Sequence, residues 1–292
     1  MRLHAWLLVA CQLSLAAELP IAGLASAGFR VSDLEAARRF YTGLLGLEEA
    51  FELASPGGRL ERVFLKVNDE QFIELLPGLA PGQNERLAHI AIQCRDVRRL
   101  HRYLEEHGLK PAPVETRADG NPGFWLKDPG GTRLEFVEYA PGGRQLATRG
   151  KFLSANRISE RLWHAGVVVL QWEKAASFYQ GLLGFRETWR GGPTEKELRW
   201  VNVEMPGRGD YLEYMLASQP PSRQQLGSMQ HICLQVPDIE AAWRKLLQRG
   251  LPDEERYRPR VGRNGRRLAN LYDPYGSRTE LMEPHLAPGA SR

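Results

Sequence analysis

Residues 40–49 read FYTGLLGLEE, and residues 178–187 read FYQGLLGFRE, 138 positions downstream. An aromatic pair, a spacer, the Gly-Leu-Leu-Gly run and a closing glutamate recur in the same order. A second repeated phrase follows each copy: DPGGTRLEFVEYAPG from Asp128 and DPYGSRTELMEPHLAPG from Asp273, 145 positions apart. Two matched phrases at nearly one offset mean that the second half of the chain repeats the first, with a few residues inserted.

Each half divides again. Four segments begin alike: LASAGFRVSDLEAARRFY from Leu24, LAHIAIQCRDVRRLHRYL from Leu87, LWHAGVVVLQWEKAASFY from Leu162 and MQHICLQVPDIEAAWRKL from Met229. A short apolar run, an Asp or polar substitute and an amphipathic stretch read as a strand entering a helix. Asp33, Asp96 and Asp238 stand where an N-cap would satisfy orphan backbone donors. Leu34, Ala37, Phe40, Tyr41 and Leu44 return at helical spacing, and Gly46 and Gly184 are placed to take left-handed caps. Two or three β-like runs follow each helix, in the third unit FRETWR, ELRWVNVEM and DYLEYML. The expected fold class is α+β, built from four βαβββ units. Turn-rich breaks place one domain at 22–141, a linker at 142–160, a second domain at 161–284 and a tail at 285–292.

Composition sets outer limits. With 292 residues, 42% of them hydrophobic, the chain has enough apolar surface for two ordinary cores. Its 39 basic and 35 acidic residues give a net charge of +4, too mild for a nucleic-acid binder and compatible with a small anionic ligand. Arg2, the run AWLLVACQLSLAA and the exit ELP read as a secretory signal over residues 1–17, which would export the protein. LVAC, ending at Cys11, also fits a lipoprotein cleavage box, and an uncleaved cytoplasmic start is the plain alternative. The run is too short to span a membrane. Beyond it, Cys94 and Cys233 lie in apolar stretches and read as buried thiols.

The candidate chemistry comes from a second regularity. The third residue of the four aligned segments is Ser26, His89, His164 and His231, and a glutamate recurs in the last strand of each unit: Glu74, Glu135, Glu213 and Glu280. The separations are 48, 46, 49 and 49 residues. A strand glutamate with apolar neighbours on both sides faces away from them. A bare carboxylate on the inside of a curved sheet is costly without a partner. Two histidines and two glutamates converging there point to a divalent metal.

These features resemble the vicinal oxygen chelate superfamily, the glyoxalase, bleomycin-resistance and ring-cleaving dioxygenase proteins. The paired GLLG segments and the DP-x-G-x-R-x-E ends carry the resemblance over residues 22–284. It implies that two units curl into one half-barrel around a metal holding two neighbouring substrate oxygens. By this resemblance His164, Glu213, His231 and Glu280 occupy the four ligand positions of the second half. In the first half Ser26 replaces a ligand, leaving Glu74, His89 and Glu135 as a second candidate site. Its alternative is a metal-free half-barrel in which the glutamates pair with arginines. Units pair one with two and three with four in most such proteins, or outer with outer and inner with inner in some; the long linker favours the first arrangement.

Three functions are compatible with this. Proton transfer of the glyoxalase or epimerase kind would use a metal as Lewis acid and Glu213, or next Glu280, as base. An extradiol ring-cleaving dioxygenase would hold Fe(II) with His164, His231 and Glu280. Against it, Glu213 stands where those enzymes place a catalytic histidine, and Asn270 where they place a tyrosine; Tyr272 lies two residues off. A non-enzymatic binding or resistance protein is the third. The implied cofactor is one divalent ion, Fe, Mn, Ni, Co or Zn, and the implied partner a small molecule. Oligomeric state and substrate are open. Cys233 shares the strand face of His231, as a further soft ligand or a buried filler. The run RYRPRVGRNGRR, with six arginines from Arg256 to Arg267, reads as a solvated hairpin or as a lid that clamps an anionic substrate group.

Overall fold

The computed structural model describes residues 18–290, so the leader reading of residues 1–17, Cys11 included, lies outside the described residues. Each half of the chain forms one eight-stranded sheet. The first contains β1 (Ile21–Val31), β2 (Glu48–Ala54), β3 (Leu60–Lys66), β4 (Phe72–Pro77), β5 (Leu87–Cys94), β6 (Glu115–Thr116), β7 (Pro122–Lys127) and β8 (Arg133–Val137). The second contains β9 (Arg161–Val169), β10 (Arg186–Gly191), β11 (Trp200–Glu204), β12 (Tyr211–Leu216), β13 (Ile232–Gln235), β14 (Arg260–Val261), β15 (Arg266–Tyr272) and β16 (Arg278–Leu286). Their orders are β2-β3-β4-β1-β5-β8-β7-β6 and β10-β11-β12-β9-β13-β16-β15-β14. Units therefore pair one with two and three with four, each pair joined by its antiparallel first strands.

Alternation along the strands gives each curled sheet two chemically distinct faces. On the first sheet Val63, Leu65, Ile73, Leu75, Ile90, Ile92, Leu134 and Phe136 enter one large core that also takes in the convex side of the second sheet. The opposite, concave face holds Phe51, Phe64 and Phe72 in a separate cluster, and among them the buried Ser26, Glu74, His89 and Glu135. Burial of apolar area in the shared core, at about 25 cal/mol per Å², holds the two sheets back to back.

The repeated phrase has a local physical role. Asp33 caps the first helix by accepting from the Ala36 amide at 3.1 Å. Helix Leu34–Arg38 then widens over Arg39–Leu44, where the Phe40 carbonyl accepts from the Leu45 amide, five residues on, at 3.0 Å. The third unit repeats this, Phe178 accepting from Leu183 at 3.0 Å. Such a widened turn lets two successive aromatics face inward, and Phe40, Tyr41, Phe178 and Tyr179 are all buried. Gly46 at φ 73° and Gly184 at φ 70° then reverse the chain in the left-handed region, where a Cβ would be penalised.

The two inward tyrosines tie the halves together. The Tyr179 hydroxyl donates to Asp128 Oδ2 at 2.7 Å, and the Tyr41 hydroxyl to Asp273 Oδ2 at 3.3 Å. Asp128 and Asp273 open the repeated DPGG and DPYG turns, whose amides they also hold: Thr132 at 2.7 Å, Ser277 at 2.8 Å. Unit three thus grips unit two, and unit one grips unit four. Beside them Gln71 donates to the Leu162 carbonyl at 2.7 Å and accepts from the Leu162 amide at 2.9 Å, completing the edge of β9 from the other half. The stretch between the halves is docked as well: Gln145 donates to Asp119 at 2.9 Å, and buried Lys66 donates to the Thr148 carbonyl. Among the described residues no helix is long and apolar enough to cross a membrane.

Removing a buried donor leaves its acceptor with an uncompensated desolvation cost of about 1–3 kcal/mol. Tyr179→Phe is expected to lower unfolding stability by about that amount, and Tyr41→Phe by less, since its bond is longer. Urea titration of both proteins, with an unchanged m-value, checks this.

Candidate metal centre

Neighbouring strands of the second sheet bring the second-half residues together. His164 on β9 pairs in register with Tyr211 on β12 and Cys233 on β13, Cys233 pairs with Glu280 on β16, and Glu280 with Asn270 on β15. His231 enters just before β13, and Glu213 pairs with Gly166. Gly166 is required there: a Cβ would stand 2.1 Å from His231 Nδ1. The first half repeats the device, a Cβ on Gly28 falling 2.3 Å from the His89 ring.

His164 Nε2 and His231 Nε2 face each other at 3.0 Å. His231 Nδ1 donates to the Met229 carbonyl at 3.0 Å, which sets the tautomer and leaves Nε2 with its lone pair turned inward. Burial, with the Arg278 charge adding, holds His231 well below the usual histidine range; burial does the same for His164. Both rings are therefore neutral near pH 7, the form that ligates metals. His164, His231 and Glu280 offer ligand atoms that all lie within 4.8 Å of one another. A metal–nitrogen bond is about 2.0–2.1 Å, so one ion can reach both imidazoles. The donor set fits a divalent ion.

Glu213, the fourth expected ligand, stands at the edge of this group. Its Oε2 is 3.3 Å from His231 Nε2 and 4.0 Å from His164 Nε2. Its side chain is 14% exposed, against 7% for Glu280. Burial raises the Glu280 carboxyl above the ordinary range; Arg278 opposes this and Glu213 adds to it. Arg278 donates to His231 Nε2 at 2.8 Å and lies 3.6 Å from Glu280 and 3.8 Å from Glu213. This arginine is the R of DP-x-G-x-R-x-E, a position visible in the sequence as a repeat but given no role there.

A cavity of about 260 Å³ opens above these groups, lined by Trp189, Trp200, Arg260, Arg263, Asn270 and Leu268 together with Glu213, Arg278 and Glu280. Asn270 Oδ1 is buried with no partner among the described residues. Tyr272 does not line this cavity; its hydroxyl meets Ser228 Oγ at 3.4 Å. Cys233 packs with Leu268 and Met282, and burial raises its thiol well above the usual range, so it is a filler. Of the six arginines in the 256–267 run only Arg260 and Arg263 line the cavity; Arg258 pairs with Asp253 and Arg267 with Glu240.

The first half has the same frame and different chemistry. Ser26 Oγ donates to Glu74 Oε1 at 2.5 Å, and His89 Nε2 lies 3.2 Å from the same oxygen. Arg62 reaches Glu74 at 3.0 Å and Glu135 at 3.3 Å, while Arg117 and Arg133 meet Glu135 at 2.5 Å and 3.0 Å. Burial works to raise both carboxyls, but His89 and the arginines outweigh it and hold them below the usual range. Glu74, His89 and Glu135 are brought together, and guanidinium groups supply their counter-charge. Arg62 and Arg117 come from β3 and from a loop, with no sequence relation to the glutamates that would announce them.

Comparison with known proteins agrees with this architecture. A model of the Glyoxalase/Bleomycin resistance protein/Dioxygenase superfamily matches residues 23–136 and 161–281. No curated protein matches the chain significantly. A Mn(II)-bound glyoxalase from Novosphingobium aromaticivorans is similar with a TM-score of 0.67, at 17% identity, over 91% of this chain and 83% of that one. The 2,3-dioxygenase LapB from Pseudomonas sp. KL28 is similar with a TM-score of 0.69, at 15% identity, over 94% of this chain and 97% of that one. An extradiol ring-cleaving dioxygenase from B. fuscum is similar with a TM-score of 0.67, at 22% identity, over 94% and 75%. At these identities the likeness carries the fold alone.

Because Glu135 titrates lower in the folded chain than in the unfolded one, its ion cluster stabilises the fold fully above the ordinary glutamate pKa of about 4.3. That contribution is lost as pH falls below this value. Glu135→Gln, which leaves three buried or half-buried arginines short of a partner, is expected to cost about 3–5 kcal/mol at pH 7. It should also flatten the acid limb of stability against pH, measured by denaturant titration from pH 7 to pH 3.

Proposed function

The chain belongs to the glyoxalase/bleomycin resistance protein/dioxygenase superfamily, and from that premise we propose that it is a metal-dependent enzyme whose second half-barrel moves a proton on a small, oxygen-bearing substrate. The observation that carries this reading is the pair of neutral, buried imidazoles 3.0 Å apart beside a buried carboxylate, with a second, more exposed carboxylate on the cavity side. His164, His231 and Glu280 would hold the ion. A divalent ion there supplies Lewis-acid polarisation of a carbonyl or hydroxyl oxygen.

The chain's own groups then divide the work. Met229 fixes the His231 tautomer. Glu213 Oε2, facing the cavity, would take the proton from the carbon alpha to the substrate carbonyl, the electron pair passing to the carbonyl oxygen as an enolate, and return it to the same or the neighbouring carbon, as an epimerase or isomerase requires. The orphan Asn270 Oδ1 would accept a hydrogen bond from a second substrate group, a hydroxyl. Trp189 and Trp200 wall off water, and Arg260 with Arg263 at the mouth favour an anionic substrate. Arg278, which donates to His231 Nε2 at 2.8 Å, would have to yield that lone pair to a bound ion.

A second reading has one observation in its favour: the compact His164, His231 and Glu280 set is also the two-His-one-carboxylate arrangement of non-haem iron oxygenases. Against it stand Glu213 and Asn270 in the places of the catalytic histidine and tyrosine, and Tyr272 turned to Ser228. Oxygen consumption with catechols, set against turnover of hemithioacetals and 2-oxo compounds without oxygen, separates the two. Ring cleavage with oxygen uptake overturns proton transfer.

Elemental analysis should find one divalent ion per chain, lost in His231→Ala and retained in Ser26→Ala. A metal content unaffected by His231→Ala sinks both readings. Glu213→Gln should keep the ion while kcat falls by about 10²–10⁴-fold.

A further inference from the structure

The sheet registers make the two half-barrels comparable position by position. Trp125 pairs with Glu135 as Asn270 pairs with Glu280, and Phe64 pairs with Glu74 as Asn202 pairs with Glu213. Two residues earlier on their strands, Arg62 corresponds to Trp200. Glu115 pairs with Gly123 as Arg260 pairs with Leu268, so the acidic Glu115 corresponds to the basic Arg260. The first half has its own cavity of about 260 Å³ at the equivalent place, over Glu135.

We infer that this first cavity is a second, metal-independent ligand site, which takes a small monocarboxylate with a flat apolar body. Arg62, Arg117, Arg133 and Trp125 line it together with Glu135. An arginine offers five N–H donors in a planar fork. Glu74 and Glu135 engage only some of them. Arg133 gives its Nε to Glu135, and its two terminal nitrogens have no partner among the described residues. The same guanidinium lies 4.2 Å from the centre of the Trp125 ring. Arg117 spends only Nη2 on Glu135.

A carboxylate entering the cavity can therefore accept a forked pair of bonds from donors that otherwise face water. A flat body would lie along Trp125, next to Leu53 and Pro113. Selectivity follows from the rim. Glu61 and Glu115 add negative charge at the mouth, and buried Asp119 adds it deeper in, so a second anionic group on the ligand is repelled. That disfavours phosphates and dicarboxylates. Arg133 is half-buried, its side chain 37% exposed, and Trp125 is exposed at 39%, so either can be replaced without opening the core.

The test is calorimetric titration of the full-length, chelator-stripped protein with benzoate, and with benzamide as the neutral equivalent of the same shape. Benzoate should bind with one site per chain and benzamide should not. Arg133→Gln and Trp125→Ala, shown by their melting curves to be folded, should each weaken benzoate at least about tenfold, or 1.4 kcal/mol. His231→Ala, which disables the other half, should leave it unchanged. No heat with benzoate up to about 10 mM, a binding free energy weaker than about 3 kcal/mol, overturns the inference. So does equal binding of benzamide, or binding that survives Arg133→Gln and is lost in His231→Ala; this last result would place the ligand in the second cavity without touching the metal reading.

Discussion

The reciprocal bonds between Tyr41 and Asp273 and between Tyr179 and Asp128 are the constraint on which the rest of the molecule depends. Buried carboxylates must be hydrogen-bonded, and each of these finds its last donor in the other half of the chain. The two sheets are thereby locked with their apolar convex faces on one core, and their concave faces are left as two separate cups. The repeated phrases supply both members of each bond: the widened helix end turns a tyrosine inward, and the Asp-Pro turn presents the acceptor.

Each cup then has to solve one electrostatic problem, that of carboxylates taken out of water. The first solves it inside the chain, with Arg62, Arg117 and Arg133 around Glu74 and Glu135. In the second, among the described residues, Arg278 is the arginine in ion-pair range of Glu213 and Glu280, with Arg260 further out in the cavity, and in place of Arg62 it has Trp200. Its histidines are held neutral by burial and carry no compensating charge. One frame thus yields two opposite electrostatic states. In the first cup the carboxylates are held below the usual range by His89 and the arginines; in the second, burial raises Glu280 above it.

This division gives two similar half-barrels different electrostatic interiors. Under the proposed function, the second cup would hold a Lewis acid beside a base, because Glu213 is not already bound to an arginine by a hydrogen bond. Glu213 keeps that freedom: its nearest groups are imidazole nitrogens at 3.3 Å and 4.0 Å, with Arg278 at 3.8 Å. Glu74, its counterpart, is held by both Ser26 and Arg62. The substitution of serine for histidine at position 26 is therefore one part of a wider exchange of counter-charge.

The two similar halves, the α+β class, the strand-to-helix order of all four units and the inward position of Ser26, His89, His164, His231 and the four glutamates were legible in the sequence, because strand alternation and helix spacing are local properties of the chain. So was the pairing of neighbouring units, through the length of the linker. The arginines of the first cup were not, since Arg62 and Arg117 approach Glu135 from β3 and from a loop, and only the curl of the sheet brings them there. The need for Gly28 and Gly166 was hidden for the same reason: a histidine ring crosses a neighbouring strand. Sequence alone determined which side chains face inward; tertiary structure decided which charges meet there, because Coulombic partners are chosen by distance across the sheet and not by spacing along the chain.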